Sequence, residues 1–200
     1  MKLSLRTFWA LLWCWTQKIP VLQTQKLCHI QEESVRYWFR QFRLHLPQFE
    51  PILNGHIQMD EAYFKNLALL MAKQESSRNL AHQVIFKKSV DKRDATEFLF
   101  QHVEPKSYLQ TDGSGIYQNI NQWWQVKHKQ DIHKRWEFEL TSEIEGMFGN
   151  LRTFIRRMYH HATSIYLPEY VSEFCFRFSS PEIFISPNSY LAKTLVACSN

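Results

Sequence analysis

Between Glu32 and Leu44 the apolar residues Val35, Trp38, Phe39 and Phe42 recur at i, i+3, i+4 and i+7, the spacing of one buried stripe on an amphipathic helix. Arg36, Arg40 and Arg43 repeat at the same interval on another face. Upstream, Pro20 can occupy a first helical turn, and Val21 to Cys28 continue in a helical pattern that breaks at His29-Ile30-Gln31. The apolar run Phe8 to Trp15 reads as an earlier amphipathic helix. Leu46-Pro47 ends the third helix, and Pro47, Pro51 and Asn54-Gly55 mark a linker. The pattern then changes period. Gly55 to Phe64 alternates, with Ile57 and Met59 on one face and Gln58 and Asp60 on the other, as in a half-buried strand. Further strands are expected at Leu67–Ala72, Leu80–Val90, residues 106–111 and residues 125–130. Helices are expected from Asp91 through Val103, at Ser114–Trp124, from Leu140 onward, and at Tyr166–Phe178. Two short helices and an arginine-bearing third, followed by strands and helices in mixture, predict a small all-α module before a mixed α/β domain. The divisions are 1–46, a linker at 47–55, 56–180, and a C-terminal extension at 181–200 without a recognisable motif.

Charge sharpens the first part of this picture. The chain carries 24 Lys+Arg against 19 Asp+Glu, a net of +5. Residues 1–45 hold seven basic and two acidic groups, so the excess lies entirely there. A basic helical pair with an arginine row opposite its core stripe reads as a helix-turn-helix that meets DNA phosphates or guanine edges. An ordinary helical hairpin with a solvated face fits the same pattern. The longest apolar run has eight residues, where a spanning helix needs about 20, and it lacks a cleavage site of the A-x-A kind, so neither membrane insertion nor secretion is expected. The four cysteines are dispersed, with no C-x-x-C pair, which points to a reducing, cytoplasmic compartment.

Three acidic residues stand out by context: Asp60 within the first strand, Asp112 at the end of a later one, and Glu145 on a helix. Carboxylates brought together from different elements can hold two Mg²⁺ ions for phosphoryl transfer. Spacing alone does not single this triplet out among 19 acidic residues.

The surrounding blocks do. Met59-Asp-Glu-Ala-Tyr-Phe64, Thr111-Asp-Gly-Ser-Gly-Ile-Tyr117, Ser142-Glu-Ile-Glu-Gly-Met-Phe-Gly-Asn-Leu-Arg152 and Leu167-Pro-Glu-Tyr-Val-Ser-Glu-Phe-Cys-Phe-Arg177 occur in order. Together, over about residues 15–179, they resemble the small bacterial insertion-sequence DDE transposases of the zinc-ribbon, ISXO-type group. The resemblance implies a ribonuclease-H-like mixed sheet with flanking helices. It also implies Asp60, Asp112 and Glu145 as catalytic and metal-holding acids, Mg²⁺ (two ions, with Mn²⁺ able to substitute), and cleavage and strand transfer at transposon ends. Glu143 is the alternative third acid. Expected partners are double-stranded DNA, as terminal inverted repeats and target, and further copies of the chain on that DNA, in the bacterial nucleoid. Arg152, two helical turns after Glu145, is a position where DDE enzymes place a basic residue against DNA. Arg156 and Arg157 extend that patch, and Arg36, Arg40 and Arg43 form the other DNA-facing set.

Smaller readings follow. His128 resembles a histidine found near the metals in this group, or is a surface residue. His160-His161 are adjacent on a helix and point about 100° apart, which suits them poorly for sharing one ion. Trp123-Trp124 and the other tryptophans are assigned to the core. Glu173 and Arg177, four apart, form a pair in a packing segment. The family's zinc ribbon is not found, since Cys14 and Cys28 lack partners at ligand spacing. That departure leaves room for a short form, a mis-started frame or a decayed copy. A non-cleaving helix-turn-helix regulator is therefore the alternative function, and a ribonuclease-H-like repair nuclease is a third.

Overall fold

A computed structural model describes residues 3–47, 50–130, 142–160 and 163–197. The chain divides into two units, one comprising Glu50–Arg152 and Thr163–Val171, the other Met1–Phe49, Thr153–Ala162 and Ser172–Asn200.

The first unit is built on a five-stranded sheet of β1 (His56–Phe64), β2 (Leu67–Gln74), β3 (Leu80–Ile85), β4 (Tyr108–Thr111) and β5 (Lys127–Gln130) in the order β3-β2-β1-β4-β5. β1, β2 and β3 form an antiparallel meander, whereas β4 and β5 run parallel to β1. Phe64 pairs with Leu67 across a two-residue turn that holds Lys65 at φ 53°. A parallel return needs a crossover, here supplied by α4 (Lys92–His102). Its start is set by a capping box: Asp91 accepts from the Asp94 N–H, and Asp94 accepts from the Asp91 N–H. Ala95, Phe98 and Leu99 of α4 share one buried core with Ile57, Met59, Leu70 and Leu109. This is the apolar face of β1 expected from its alternation, and it leaves Gln58 and Asp60 on the opposite face. The meander, the crossover helix and the two parallel strands make a ribonuclease-H-like mixed α/β fold.

One expected helix is absent. Residues 114–124 form two 3₁₀ turns, Gly115–Tyr117 and Ile120–Gln122, interrupted by Asn119 in a left-handed conformation at φ 58°. The apolar period there reflects Tyr117 and Ile120 reaching the core from separate turns. β3 stops at Ile85, short of Val90. The long helix is α5 (Ser142–Tyr159); its expected start at Leu140 lies outside the described residues.

The second unit gathers α1 (Leu5–Thr16), α2 (Val21–Cys28) and α3 (Glu32–Leu44) with the C-terminal parts of α5 and α6 (Leu167–Ser179) and with α7 (Pro187–Ala197). His29, left-handed at φ 52°, ends α2 and permits the three-residue turn into α3. Trp15 packs against Phe42, Phe184 and Tyr190 at centroid distances of 5.6, 5.4 and 5.2 Å, and the Tyr190 hydroxyl donates to the Phe42 carbonyl at 2.8 Å. Beneath them lies a buried charge set. Glu173 accepts from Arg43 (3.0 Å), Arg177 (2.8 Å) and the Tyr159 hydroxyl, and Arg177 also donates to the carbonyls of Trp15 and Thr16. Residues 181–194 therefore contribute to a core. Ile183, Phe184 and Tyr190 are buried, and the boundary at 180/181 expected from sequence does not separate an appendage. The joining contacts link residues 130 and more positions apart, a range at which periodicity carries no information. Cys14, Cys28 and Cys175 are free thiols, while Cys198 lies outside the described residues.

Two stability predictions follow from these interiors. Replacing Glu173 with alanine strands two buried guanidinium groups and is expected to lower stability by about 3–5 kcal/mol, read as a reduced urea midpoint. His82 on β3 is held down to about 4, chiefly by burial and then by the charge of His102. Its ordinary value is 6.5, so the unfolded chain binds a proton that the folded chain refuses. Its contribution is complete above pH 6.5 and is lost progressively toward pH 4, by about 2–3 kcal/mol, a loss that His82→Gln should flatten.

Candidate functional site

β1 and β4 are adjacent and parallel, and their last paired residues are Gln58 and Gln110. Continuing that register by two residues on each strand brings Asp60 level with Asp112, the residue immediately after β4. Asp112 is held in a turn, its Oδ1 accepting from the Ser114 N–H at 3.0 Å. Thr111, fully buried, donates its hydroxyl proton to the Asp112 carbonyl at 3.0 Å and lies 2.9 Å from His128 Nε2. With that proton committed, the Nε2 of His128 is the donor in the second bond. Burial lowers the His128 pKa, which favours a neutral ring. His128 thus braces the strand end that carries Asp112.

Asp60, Glu61 and Asp112 each bring a carboxylate oxygen to within 4.8 Å of the others. Glu61 is fixed from the core side by the buried Tyr117 hydroxyl, which donates to it at 2.5 Å, and its own N–H donates to Asp60 Oδ1 at 2.8 Å. Burial, with the charges of Glu61, Asp112 and Glu145 added, pushes the Asp60 carboxyl up to about 7 despite that backbone bond. Burial also raises Glu61, aided by Asp112 and opposed by Tyr117. Three hard oxygen donors crowded with like charge are the set that a divalent Mg²⁺ or Mn²⁺ ion neutralises, so the residues present fit such an ion.

Glu145 is exposed in the first turn of α5. Its charge counts among those acting on Asp60, but it is not one of the three carboxylates within 4.8 Å. Glu143 is engaged elsewhere, in an ion pair with Lys73 of β2.

The basic residues fall into different environments. Arg152 is exposed, with its guanidinium 5.6 Å from the Phe64 ring centroid, and Arg156 and Arg157 are exposed as well. Arg36 is partly buried, bonded to Glu32 and to the Tyr159 carbonyl, and Arg40 is partly buried. Arg43 is a correction: it is 6% exposed and committed to Glu173, so it cannot present its guanidinium to DNA. Its place on the helix matches the arginine row, but α3 has a second packed face. The assignment of tryptophans to the core also changes, because Trp124 is partly buried and bonds the Val103 carbonyl, whereas Trp123 is 62% exposed. Trp9 and Trp13 are exposed too. His160 is exposed, and His161 lies outside the described residues.

Sequence reasoning missed Glu61. Neighbouring strand residues point to opposite faces, which argues against their sharing a site, and the hydroxyls of Tyr117 and Tyr63 that hold the Glu61 carboxylate are not legible from local pattern. The Asp60-Glu61 adjacency was the available signal.

A carboxylate cluster thus stands at the ends of adjacent parallel strands of a ribonuclease-H-like sheet. Residues 67–179 match the ISXO2-like transposase domain, and the chain belongs to that family. The match begins after Asp60 and includes Asp112 and Glu145. No curated protein matches the chain. Among solved structures, a chain of the simian T-cell lymphotropic virus intasome in complex with a PP2A regulatory subunit is 14% identical, with TM-score 0.47, covering 84% of this chain and 67% of that one. The catalytic core domain of BIV integrase is 11% identical, with TM-score 0.49, covering 74% and 99%.

The raised Asp60 carboxyl has a definite sign. Its ordinary value is 3.8, so the folded protein favours the neutral form, and stability falls as pH rises from about 4 to about 7 and stays low above that. Asp60→Asn is expected to stabilise the metal-free protein at pH 8 by roughly 1–3 kcal/mol and to have little effect near pH 4. Mg²⁺ or Mn²⁺ should raise the wild-type melting temperature at pH 8 and do so far less in the variant, as checked by thermal unfolding.

Proposed function

We propose that this protein is the transposase of a small insertion sequence, catalysing metal-dependent strand cleavage and strand transfer at the ends of its element. The observation that carries the reading is the convergence of Asp60 and Asp112 from adjacent parallel strands, with Glu61 beside them and Glu145 close enough to act on Asp60. A DNA-binding regulator has no use for carboxylates crowded at such electrostatic cost.

In this reading Asp60, Asp112 and Glu145 hold the metal, with Glu61 as a further oxygen donor. When bound, two Mg²⁺ ions, or Mn²⁺ in their place, would supply activation of the attacking oxygen and charge stabilisation of the leaving one. Water attacks a phosphodiester at the element's end, the P–O bond to the 3′ oxygen breaks and that oxygen leaves as a 3′-OH; this 3′-OH then loses its proton as it attacks a target phosphodiester, whose own P–O3′ bond breaks and whose 3′ oxygen leaves as a new 3′-OH. No protein nucleophile takes part, so the side chains act by holding and orienting. His128 and Thr111 keep Asp112 in place. The exposed Arg152, Arg156 and Arg157 would grip the DNA backbone, a role that weakens with salt. Arg36 and Arg40 on the helix-turn-helix would contact the terminal inverted repeat, without Arg43. Two ends handled together call for a homo-oligomer on DNA. No described helix is long and apolar enough to cross a membrane, and a cytoplasmic, nucleoid-associated protein fits the substrate.

The test is strand cleavage of labelled DNA carrying the element's terminal repeats. Wild type is expected to nick at the repeat end in Mg²⁺ or Mn²⁺, and Asp60→Ala, Asp112→Ala and Glu145→Ala to reduce the rate by at least about 10³-fold. Specific binding without cleavage in either metal would replace this reading with the regulator or relic.

A further inference from the structure

Gln58 and Lys73 are direct cross-strand partners on β1 and β2, and both side chains are buried or nearly so. Gln58 lies two residues before Asp60, so the two share the face of the sheet turned away from α4. From this one point on the sheet, two bonds reach the first turn of α5. The Gln58 side-chain oxygen accepts from the Ile144 N–H at 3.3 Å, and the Lys73 ammonium pairs with the Glu143 carboxylate. The Gln58 amide is in turn oriented by Glu75, to which it donates at 3.4 Å. A helix begins with N–H groups that have no partner within the helix, and here a strand residue satisfies one of them. Glu143 and Glu145 are two residues apart, about 200° around a helix, so a Glu143 held against Lys73 cannot occupy the position of Glu145. The Lys73 side chain is only 11% exposed, whereas that of Glu143 is 49% exposed. The lysine is therefore the fixed member of the pair and the glutamate the one drawn to it.

We infer that Gln58 and Lys73 form a two-point latch that sets the start of α5 over β1, with Glu143 as its positioning residue and Glu145 as the acid it aims at the Asp60–Asp112 pair. The inference rests on the metal-holding assignment above and deepens it, because it gives the two glutamates different duties. The charge of Glu145 acting on Asp60 agrees with that placement.

The test reads divalent-ion affinity rather than cleavage, so a copy that cannot cut DNA does not obscure it. Full-length protein is titrated with Mn²⁺ and the ion concentration giving half the thermal shift is recorded. Glu143→Gln and Lys73→Met are expected to raise that midpoint about 10-fold or more, as for groups that orient a ligand without being one. Lys73→Arg keeps the pair and should remain near wild type. The exchange Lys73→Glu with Glu143→Lys should recover the midpoint to within about threefold, whereas Glu145→Gln should lose most of the response. Glu143 is exposed enough for its glutamine variant to fold even if Lys73→Met does not. A double exchange as weak as Glu143→Gln, together with a Glu145→Gln variant that binds Mn²⁺ normally, would make Glu143 the ligand and overturn the latch. Wild type without any Mn²⁺ response would remove the metal site itself, a different failure from the loss of the latch alone.

Discussion

The sheet-bearing unit depends on the cost of keeping carboxylates together away from water. Asp60 is raised first by burial and then by Glu61, Asp112 and Glu145, a load that no packing argument favours. The fold supports it with rigid neighbours: a parallel strand pair that determines where the two aspartates end, a buried Tyr117 that holds Glu61, and a Thr111–His128 bond beneath Asp112. Local order that is costly for folding alone is a common mark of a site prepared for a charged guest.

The other unit handles buried charge differently. Glu173 sits among Arg43, Arg177 and Tyr159, so opposite charges and hydrogen bonds are supplied by the chain itself. One set of charges is closed by opposite charge; in the other, Asp60, Glu61 and Asp112 add negative charge to one another. That contrast distinguishes a scaffold from a binding site more clearly than residue type does, since both are built from glutamate, aspartate, arginine and tyrosine.

Much of the sheet-bearing unit was legible from local pattern. The alternation of β1 placed Ile57 and Met59 against the core and Asp60 on the other face, and the α4 cap could be read from Asp91 and Asp94. Asp60 and Asp112 could be singled out because each stands at a predicted strand within a recognisable block. Glu61 could not, because the bond that orients it comes from Tyr117, 56 residues away. Arg43 is indistinguishable in the sequence pattern from Arg36 and Arg40, because periodicity reports that a face exists and not what lies against it. The grouping of residues 172–197 with the N-terminal helices was hidden for the same reason. The two 3₁₀ turns after Asp112 mimic a helical period only because core contacts happen to recur there.

The topology also sets the order in which the carboxylates can meet. β1, β2 and β3 are joined by tight turns and can pair while the rest of the chain is still unformed. β4 pairs with β1 across the longer crossover through α4, whose closure costs more entropy than that of a hairpin. On contact order, Asp60 is expected to be in its strand before Asp112 reaches it. A nascent or partly folded chain carries the acids separately, in water, where they ionise normally and bind divalent ions weakly. Under the proposed function, the acids therefore become a metal-holding set only once the parallel strands have docked.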